Sequence, residues 1–420
     1  MLDIKFIRDN VDLVKAGAKK KLIEVDIDRL LTVDETRRKL LTEIEAMRAK
    51  QNEVSAKIVM VDVSAQAKIK LEMKSVKEEM QQKEKEFELV MLEWQTLMVS
   101  VPNIPDISVP TGDSDDDNLE TKSWGEKPSF DFDLKSHIDI MEALDIADFE
   151  RGAKVAGFRG YFLKGQGALL SMAIWHYAQK FFVGKGFVPM IVPSLVRRVT
   201  LLGTGYIPQG EDDMYKTQDG DYIAGTGEVA TMAYHMGDTL AKTELPKKYL
   251  SFSPCFRREA GSHSKDIKGL IRVHEFFKWE QVILCEASHE ESVKYHEWLN
   301  RNTEEFIESL NIPYRTVVNC GGDLGLGQVK KYDIELWVPA EKKYREISSA
   351  SYFHDFQTRR LNIRYRDADG SLKFAHSLNS TAIPTPRILV SIIENYQQAD
   401  GSIKVPDVLV PYMERDVIGA

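Results

Sequence analysis

The stretch CFRREAGSHSKDIKGLIRVHEFFKWEQ, from Cys255 to Gln281, crowds guanidinium, carboxylate, imidazole and aromatic side chains into one short segment. Arginine forks suit carboxylate and phosphate oxygens, so such a row beside an aromatic ring is equipped to grip an anionic ligand. The segment reads as strand, polar loop, strand. An apolar approach ends at Phe256, and a return alternates through Leu270, Arg272, His274, Phe276, Lys278 and Glu280. Even positions of a strand share one face. Burying that row without partners would cost several kcal/mol per charge, and a fully solvated hairpin leaves Phe276 unexplained. The face is therefore expected to line a site.

Other chemistries are set aside by what the sequence lacks. No GxGxxG or GxxxxGKS/T opens a helix, so neither nucleotide-binding α/β fingerprint is present. Cys255, Cys285 and Cys320 are far apart, without CxxC or Cys/His ligand spacing. They are expected as buried thiols rather than as a disulfide framework or a zinc finger. The net charge of −9 would repel phosphates on average, so a nucleic acid must be met by local basic patches. MLDIKFIRDN carries charges where a signal peptide would be apolar, and no apolar run is long enough to cross a membrane. A cytoplasmic chain with no membrane partner is expected.

Two kinds of scaffold must position these residues. The N-terminal part is rich in Lys, Glu, Gln, Met and Leu, with no proline before Pro102, which is long-helix composition. Leu40, Ile44, Met47, Val54 and Ile58 form one heptad stripe, with Gln51 filling a seam position. Ile69, Met73, Val76, Met80, Phe87, Val90, Trp94 and Leu97 form a second, with Lys83 in its seam. The spacing predicts two helices folded back on each other through a short turn around Met60 to Ala65, where Asp62 and Ser64 can cap the second helix. Arms of about 30 residues would project on the order of 45 Å. Pro102, Pro105, Pro110 and an acidic cluster at Asp113 to Asp117 then mark a linker from about Val101 to Trp124. From Phe130 onward, short runs such as YIAGT, YLSFS and KYDIELWV interleave with helical stretches such as Gly167 to Phe182. This pattern predicts an α+β fold, an antiparallel sheet flanked by helices, behind a two-helix antiparallel coiled coil.

FRREAG, the loop and GLIRVHEFFKWE together resemble motif 2 of the class II aminoacyl-tRNA synthetases in its seryl form, and the likeness extends over nearly the whole chain. GFVPMIVPSLV, residues 186–196, is similar to motif 1, with Pro193 as its proline, and GTGYIPQGEDDMYKTQDGDY is similar to the seryl segment that follows. KYREISSASYFHDFQTRRLNIRYR resembles the block before motif 3, and LNSTAIPTPRILVSIIENYQ, within 378–398, resembles motif 3 itself. A single FRxE would carry little weight. With five blocks in family order behind a coiled-coil hairpin, the chain is identified as a member of the seryl-tRNA synthetase family, in its common form with an N-terminal arm. The resemblance implies a tRNA-binding domain over 1–110 and a class II catalytic domain over 111–420, with motif 2 at 255–281.

The implied activity is that of a serine-tRNA ligase. L-serine and ATP would give seryl-adenylate and pyrophosphate, and the seryl group would pass to the 3'-end of tRNA(Ser), and also of tRNA(Sec). The attacking carboxylate is already ionised, so catalysis needs positioning and charge neutralisation rather than a general base. By similarity, the catalytic set is Arg257 on the α-phosphate and serine carboxylate, Arg387 on the γ-phosphate and adenine, and Glu346. Glu259 would read the adenine amino group above Phe276, and Arg258, Arg272, Val273, Ile347, Ser348 and Ser349 would complete the ATP site. Glu346 and Ser349 resemble the family's magnesium ligands, and no zinc is expected. Thr226, Gly227, Glu228, Arg257, Glu280, Asn379 and Thr381 match the serine-binding positions, where hydrogen bonds to one hydroxyl reject alanine and shape rejects threonine.

The chain departs from the family at a few places. Gly227 stands where Ala is usual and is expected to loosen the serine loop. Ser264 and Ile267 stand where Gly and Thr are commoner. His263 and His274 adjoin motif 2, although the reaction demands no imidazole. In the family the arm lies against the tRNA elbow and long variable arm. Lys19, Lys20, Lys21, Arg37, Arg38, Arg48 and Lys50 are expected to make it positive. Family members are homodimers built around motif 1. Two other readings fare worse: carrier-protein ligases share the core but lack the arm, and a non-catalytic RNA-binding relative would have no reason to keep Arg257, Glu259, Glu346 and Arg387.

Overall fold

The computed structural model describes residues 1–57, 63–260, 266 and 268–419. The chain divides into two compact units, one of Asp3–Lys19 with Ile23–Pro102, the other of Met1–Leu2 and Lys20–Leu22 with Asn103–Ala420.

In the first unit, short helices Ile4–Asp9 and Val11–Lys20 precede α1 (Ile27–Lys57) and α2 (Val63–Ser100). At the α-helical rise these two run for about 46 Å and about 57 Å. They are antiparallel. Arg29 pairs with Glu93, Lys83 with Glu43 and Arg48 with Glu84, each at 2.7 Å. Leu40 and Ile44 of the first stripe are buried, and Lys83 keeps its place in the seam through its pair with Glu43. Asp34 is fully buried yet satisfied: Arg8 and Arg37 donate to it at 2.5 and 2.9 Å, and the Trp94 indole at 3.1 Å. Ile58 of the first stripe and Met60 and Asp62 of the expected turn region lie outside the described residues. The second helix is described from Val63, so Ser64 stands inside it rather than before it.

The larger unit is built on an eight-stranded sheet. Its strands in chain order are β1 (Leu119–Trp124), β2 (Val188–Ile191), β3 (Lys247–Phe256), β4 (Glu275–Cys285), β5 (Tyr314–Val318), β6 (Lys330–Val338), β7 (Lys343–His354) and β8 (His376–Thr385). They lie side by side in the order β1-β5-β6-β7-β8-β4-β3-β2, antiparallel throughout except for β2 beside β3. One face is covered by α3 (Gln166–Gly184) and α4 (His289–Ser309). Leu170, Ile174, Phe182, Leu299, Phe306 and Ile307 of these helices share a core with Trp279 and Ile283 of β4 and Leu378 and Ile383 of β8. Odd positions of β4 thus serve the core. Its even positions Phe276, Lys278 and Glu280 face the other way.

The sequence reading needs two corrections here. The stretch expected to be linker up to Trp124 contains β1, which pairs with β5 at the sheet edge. An edge strand has a neighbour on one side only, and this one is almost wholly exposed, so no apolar alternation announces it. The expected return strand from Leu270 begins only at Glu275. The Arg257 amide still donates to the His274 carbonyl at 3.0 Å, but the Arg257 carbonyl bonds the His274 ring Nδ1 at 2.8 Å. A side chain has replaced the ladder amide, and the regular pairing stops there. Leu270, Arg272 and His274 therefore precede the strand instead of sharing its face. Cys255, Cys285 and Cys320 are buried free thiols, and among the described residues no helix is long and apolar enough to cross a membrane.

Candidate active site

The even face of β4 forms the floor of a cleft. Its lining draws Arg257 from the end of β3, Glu259 and Val273 from the segments beyond, Phe276 from β4, Glu346 and Ile347 from β7, Thr381 from β8, and Arg387 from the start of α5 (Arg387–Asn395). Eight of the residues given a role from the sequence meet in one cavity. Lys278 also lines it; the sequence placed it in the alternating row but gave it no role.

At one end Arg257 and Glu346 are loosely held. The Arg257 guanidinium lies 5.2 Å from the centre of the Phe276 ring and, among the described residues, donates only through a long 3.4 Å contact to the Gly225 carbonyl. Arg387 donates to the carbonyls of Ile271 and Glu346, both at 2.8 Å, and its guanidinium is 3.8 Å from the Glu346 carboxylate. The Glu346 side chain is half exposed. Glu259 has a left-handed φ of 54° and receives Arg272 at 2.5 Å. Arg272 thereby holds Glu259 from outside the cleft lining. Arg258 turns elsewhere, donating to the Asp212 carbonyl at 2.9 Å. The loop residues His263, Ser264 and Ile267 lie outside the described residues.

Glu346 and Ser349 are three apart, a spacing that plain strand alternation would send to opposite faces. In the pairing of β6 with β7, Ile334 is opposite Ser348 and Glu335 opposite Glu346, so Ile347 is an extra, bulged residue. Ile347 and Ser348 are consecutive and both buried, and the bulge restores Glu346 and Ser349 to a common side. Ser348 spends its hydroxyl on the Thr381 carbonyl at 2.6 Å. A carboxylate and a hydroxyl are hard oxygen donors of the kind magnesium takes when phosphates complete its shell. Among the described residues no group of three or more His, Cys, Asp or Glu side chains could hold a metal by itself.

The other end is closed. Thr226, Glu228, Lys278 and Glu280 are all at most 5% exposed. Lys278 forms an ion pair with Glu280 and donates to the Thr226 hydroxyl at 2.8 Å. Thr226 in turn reaches Glu280 at 3.4 Å. Glu280 stands opposite Thr381 across β4 and β8, an alignment produced by a second bulge that leaves Ala382 unpaired. Asn379 is buried one step along, opposite Val282 and Ser351. Glu228 starts the helix Glu228–Ala233 and accepts from Tyr206 at 2.7 Å and from Gln357 at 2.6 Å. Burial, followed by the charge of Glu280, pushes the Glu228 carboxyl up to about 7. Gly227 has an ordinary helical φ of −66°. A Cβ there would come within 2.8 Å of the Ser251 hydroxyl.

The basic residues expected on the arm divide as well. Lys21 is buried in the larger unit, where its ammonium donates to the carbonyls of Gly325 and Leu326 at 3.0 and 3.1 Å, so it offers nothing to a phosphate. Arg37 is held by Asp34 and Trp94. Lys19, Arg38 and Lys50 are exposed.

Comparison with known proteins brings this geometry into a family. Residues 1–105 match the Seryl-tRNA synthetase N-terminal domain, and residues 215–396 match the tRNA synthetase class II core domain (G, H, P, S and T). The serine-tRNA ligase of Deinococcus radiodurans is 43% identical over 421 residues, covering 100% of this chain and 99% of that one. The crystal structure of seryl-tRNA synthetase from Pyrococcus horikoshii complexed with ATP superposes with a TM-score of 0.91 at 36% identity, over 100% of this chain and 99% of the other. A cytoplasmic serine-tRNA ligase from Naegleria fowleri in complex with AMP gives a TM-score of 0.87 at 29% identity, with coverage of 100% and 99%.

Proposed function

The chain belongs to the serine-tRNA ligases, and from that premise we propose that it joins L-serine to tRNA(Ser) in two steps at this cleft. In the first step a serine carboxylate oxygen attacks the α-phosphorus of ATP, the bond to the bridging oxygen breaks, and pyrophosphate leaves. In the second, a ribose hydroxyl at the tRNA 3'-end attacks the carbonyl of seryl-adenylate, and AMP departs with the bonding pair.

The observation that carries this reading is the convergence of Arg257, Phe276, Glu346 and Arg387 around one cleft, beside a buried pocket of Thr226, Lys278 and Glu280. Arg257 is exposed and loosely tied, so its fork is available to the α-phosphate and the serine carboxylate together. Arg387 neutralises terminal phosphate charge, Glu259 accepts from the adenine amino group, and the base stacks on Phe276. Val273 and Ile347 contribute backbone contacts. Arg272 acts through Glu259, whereas Arg258 is held on the Asp212 carbonyl away from the cleft lining. Glu346 and Ser349 would hold magnesium, which when bound supplies charge neutralisation on the phosphates. Thr226, Glu228, Glu280, Asn379 and Thr381 take the serine ammonium and hydroxyl, with Gly227 packed against Ser251 beside them.

The domain reading follows the same premise, with residues 1–110 as the tRNA-binding arm and 111–420 as the catalytic domain. We place the enzyme in the cytoplasm, as a homodimer joined around motif 1. Val188, Ile191 and Leu195 of that motif are exposed apolar residues that a second subunit would cover. Charging of tRNA(Sec) belongs to the same proposal, because shape recognition of a long variable arm does not read the anticodon. The test is ATP-pyrophosphate exchange with serine, alanine and threonine, followed by charging of tRNA(Ser) with and without its variable arm. Exchange with serine far above alanine, and charging lost with the variable arm, are expected. Equal exchange with all three amino acids would overturn the assignment.

A further inference from the structure

Resting on the serine-activating reading, we infer that Lys278 is a positioning residue that sets the direction of the hydrogen bond between Thr226 and Glu280, and so makes the amino-acid pocket demand a hydroxyl. An ammonium has donors only. Lys278 Nζ is 2.8 Å from Thr226 Oγ1, so that oxygen accepts from it. The backbone amide of Glu228 donates to the same oxygen at 3.3 Å. A hydroxyl has two lone pairs, and both are now engaged, so the Thr226 hydroxyl is left as a donor and points its proton at Glu280 Oε2, 3.4 Å away.

Lys278 is also the ion-pair partner of Glu280. As the anion of that pair, Glu280 offers acceptors and no donor. Each oxygen of the neighbouring Glu228 carboxylate already accepts one hydrogen bond, from Tyr206 or from Gln357. A ligand entering beside Thr381 therefore meets the carboxylate of Glu280 as the acceptor available for its side chain, and the Thr226 proton already faces that same carboxylate. Serine supplies the proton that Glu280 can receive. Alanine supplies none and leaves a buried carboxylate short of a partner. Without Lys278, the Thr226 hydroxyl could rotate to accept, and the pocket would no longer be restricted to one polarity. Lys278 also offsets one of the two buried carboxylates, so that the serine ammonium balances the other.

The test uses the full-length enzyme with Lys278→Met, which keeps the length of the side chain without its charge, and Lys278→Arg, read by amino-acid-dependent ATP-pyrophosphate exchange. For Lys278→Met the KM for serine should rise by about tenfold to a hundredfold, while the KM for ATP stays within about twofold. The preference for serine over alanine should drop by about tenfold or more. Lys278→Arg should recover part of that preference, because it restores a donor-only cation. Retained ATP affinity together with an unshifted circular dichroism spectrum shows that the variant is folded. The inference is overturned if the serine-to-alanine ratio of folded Lys278→Met matches wild type, or if the KM values for serine and ATP rise together. Failure of the wild-type enzyme to activate serine would instead bring down the underlying reading, so the two failures are distinguishable.

Discussion

The two ends of the cleft are built on opposite principles. At the nucleotide end, Arg257 and Glu346 are exposed or half exposed and make few bonds to the protein. At the amino-acid end, Thr226, Glu228, Lys278 and Glu280 are buried and bonded to one another before any ligand arrives. On the proposed assignment, a triphosphate brings its own charges, so the residues that would receive it can stay solvated and loose. A small hydroxymethyl group carries little binding energy, and discriminating it requires groups already desolvated and fixed in direction. Recognition of the large ligand is left to charge, and recognition of the small one to prior order.

Substitutions at either end test that contrast. Glu280→Ala should be the most damaging. It removes the acceptor and leaves Lys278 as a buried cation without its partner, so kcat/KM for serine in pyrophosphate exchange should fall by about a thousandfold or more, with the KM for ATP little changed. Arg257→Lys comes next. It keeps the charge and loses the fork, so kcat should drop by about a hundredfold. A loss confined to KM would mean that Arg257 only binds and does not act in the transition state. Phe276→Leu should raise the KM for ATP by about tenfold and leave that for serine unchanged, since it removes a stacking surface at the open end alone. An equal effect on both would show the two ends to be one coupled site.

Much of this was legible in the sequence, for reasons that particular residues make clear. The charged row of motif 2 stood out because Phe276, Lys278 and Glu280 recur at strand period, and the arm because its apolar residues recur at heptad period. Two bulges were not legible. Strict alternation pairs Glu346 with Ser348, and only the extra residue Ile347 brings Ser349 to the same side. Lys278 could not be assigned either, because its partner Thr226 lies 52 residues away in sequence and no local pattern joins them. Lys21 misled for a related reason. It sits in a basic run, Lys19 to Lys21, yet its ammonium is spent on carbonyls some three hundred residues further on, at Gly325 and Leu326.

The gentlest way to sharpen the comparison is to titrate the closed end. Burial, then the charge of Glu280, pushes the Glu228 carboxyl from its usual 4.5 up to about 7. The folded value is the higher one, so between those values the native state binds a proton that the unfolded chain does not. Stability from this group is therefore fully present below about 4.5 and is lost as the pH rises through about 7. Glutamine cannot titrate, and the Tyr206 hydroxyl can turn to accept from its amide. The melting temperature of Glu228→Gln relative to wild type should accordingly climb between about pH 5 and about pH 8, by an amount corresponding to about 2 kcal/mol. Serine binding should show the opposite dependence. The ionised carboxylate attracts the ammonium, so the wild-type KM for serine should fall severalfold from about pH 6 to about pH 8, and that dependence should vanish in Glu228→Gln. If the dependence persists in the variant, a different group titrates in the pocket, and Glu228 belongs to its walls rather than to its ligand-binding charge.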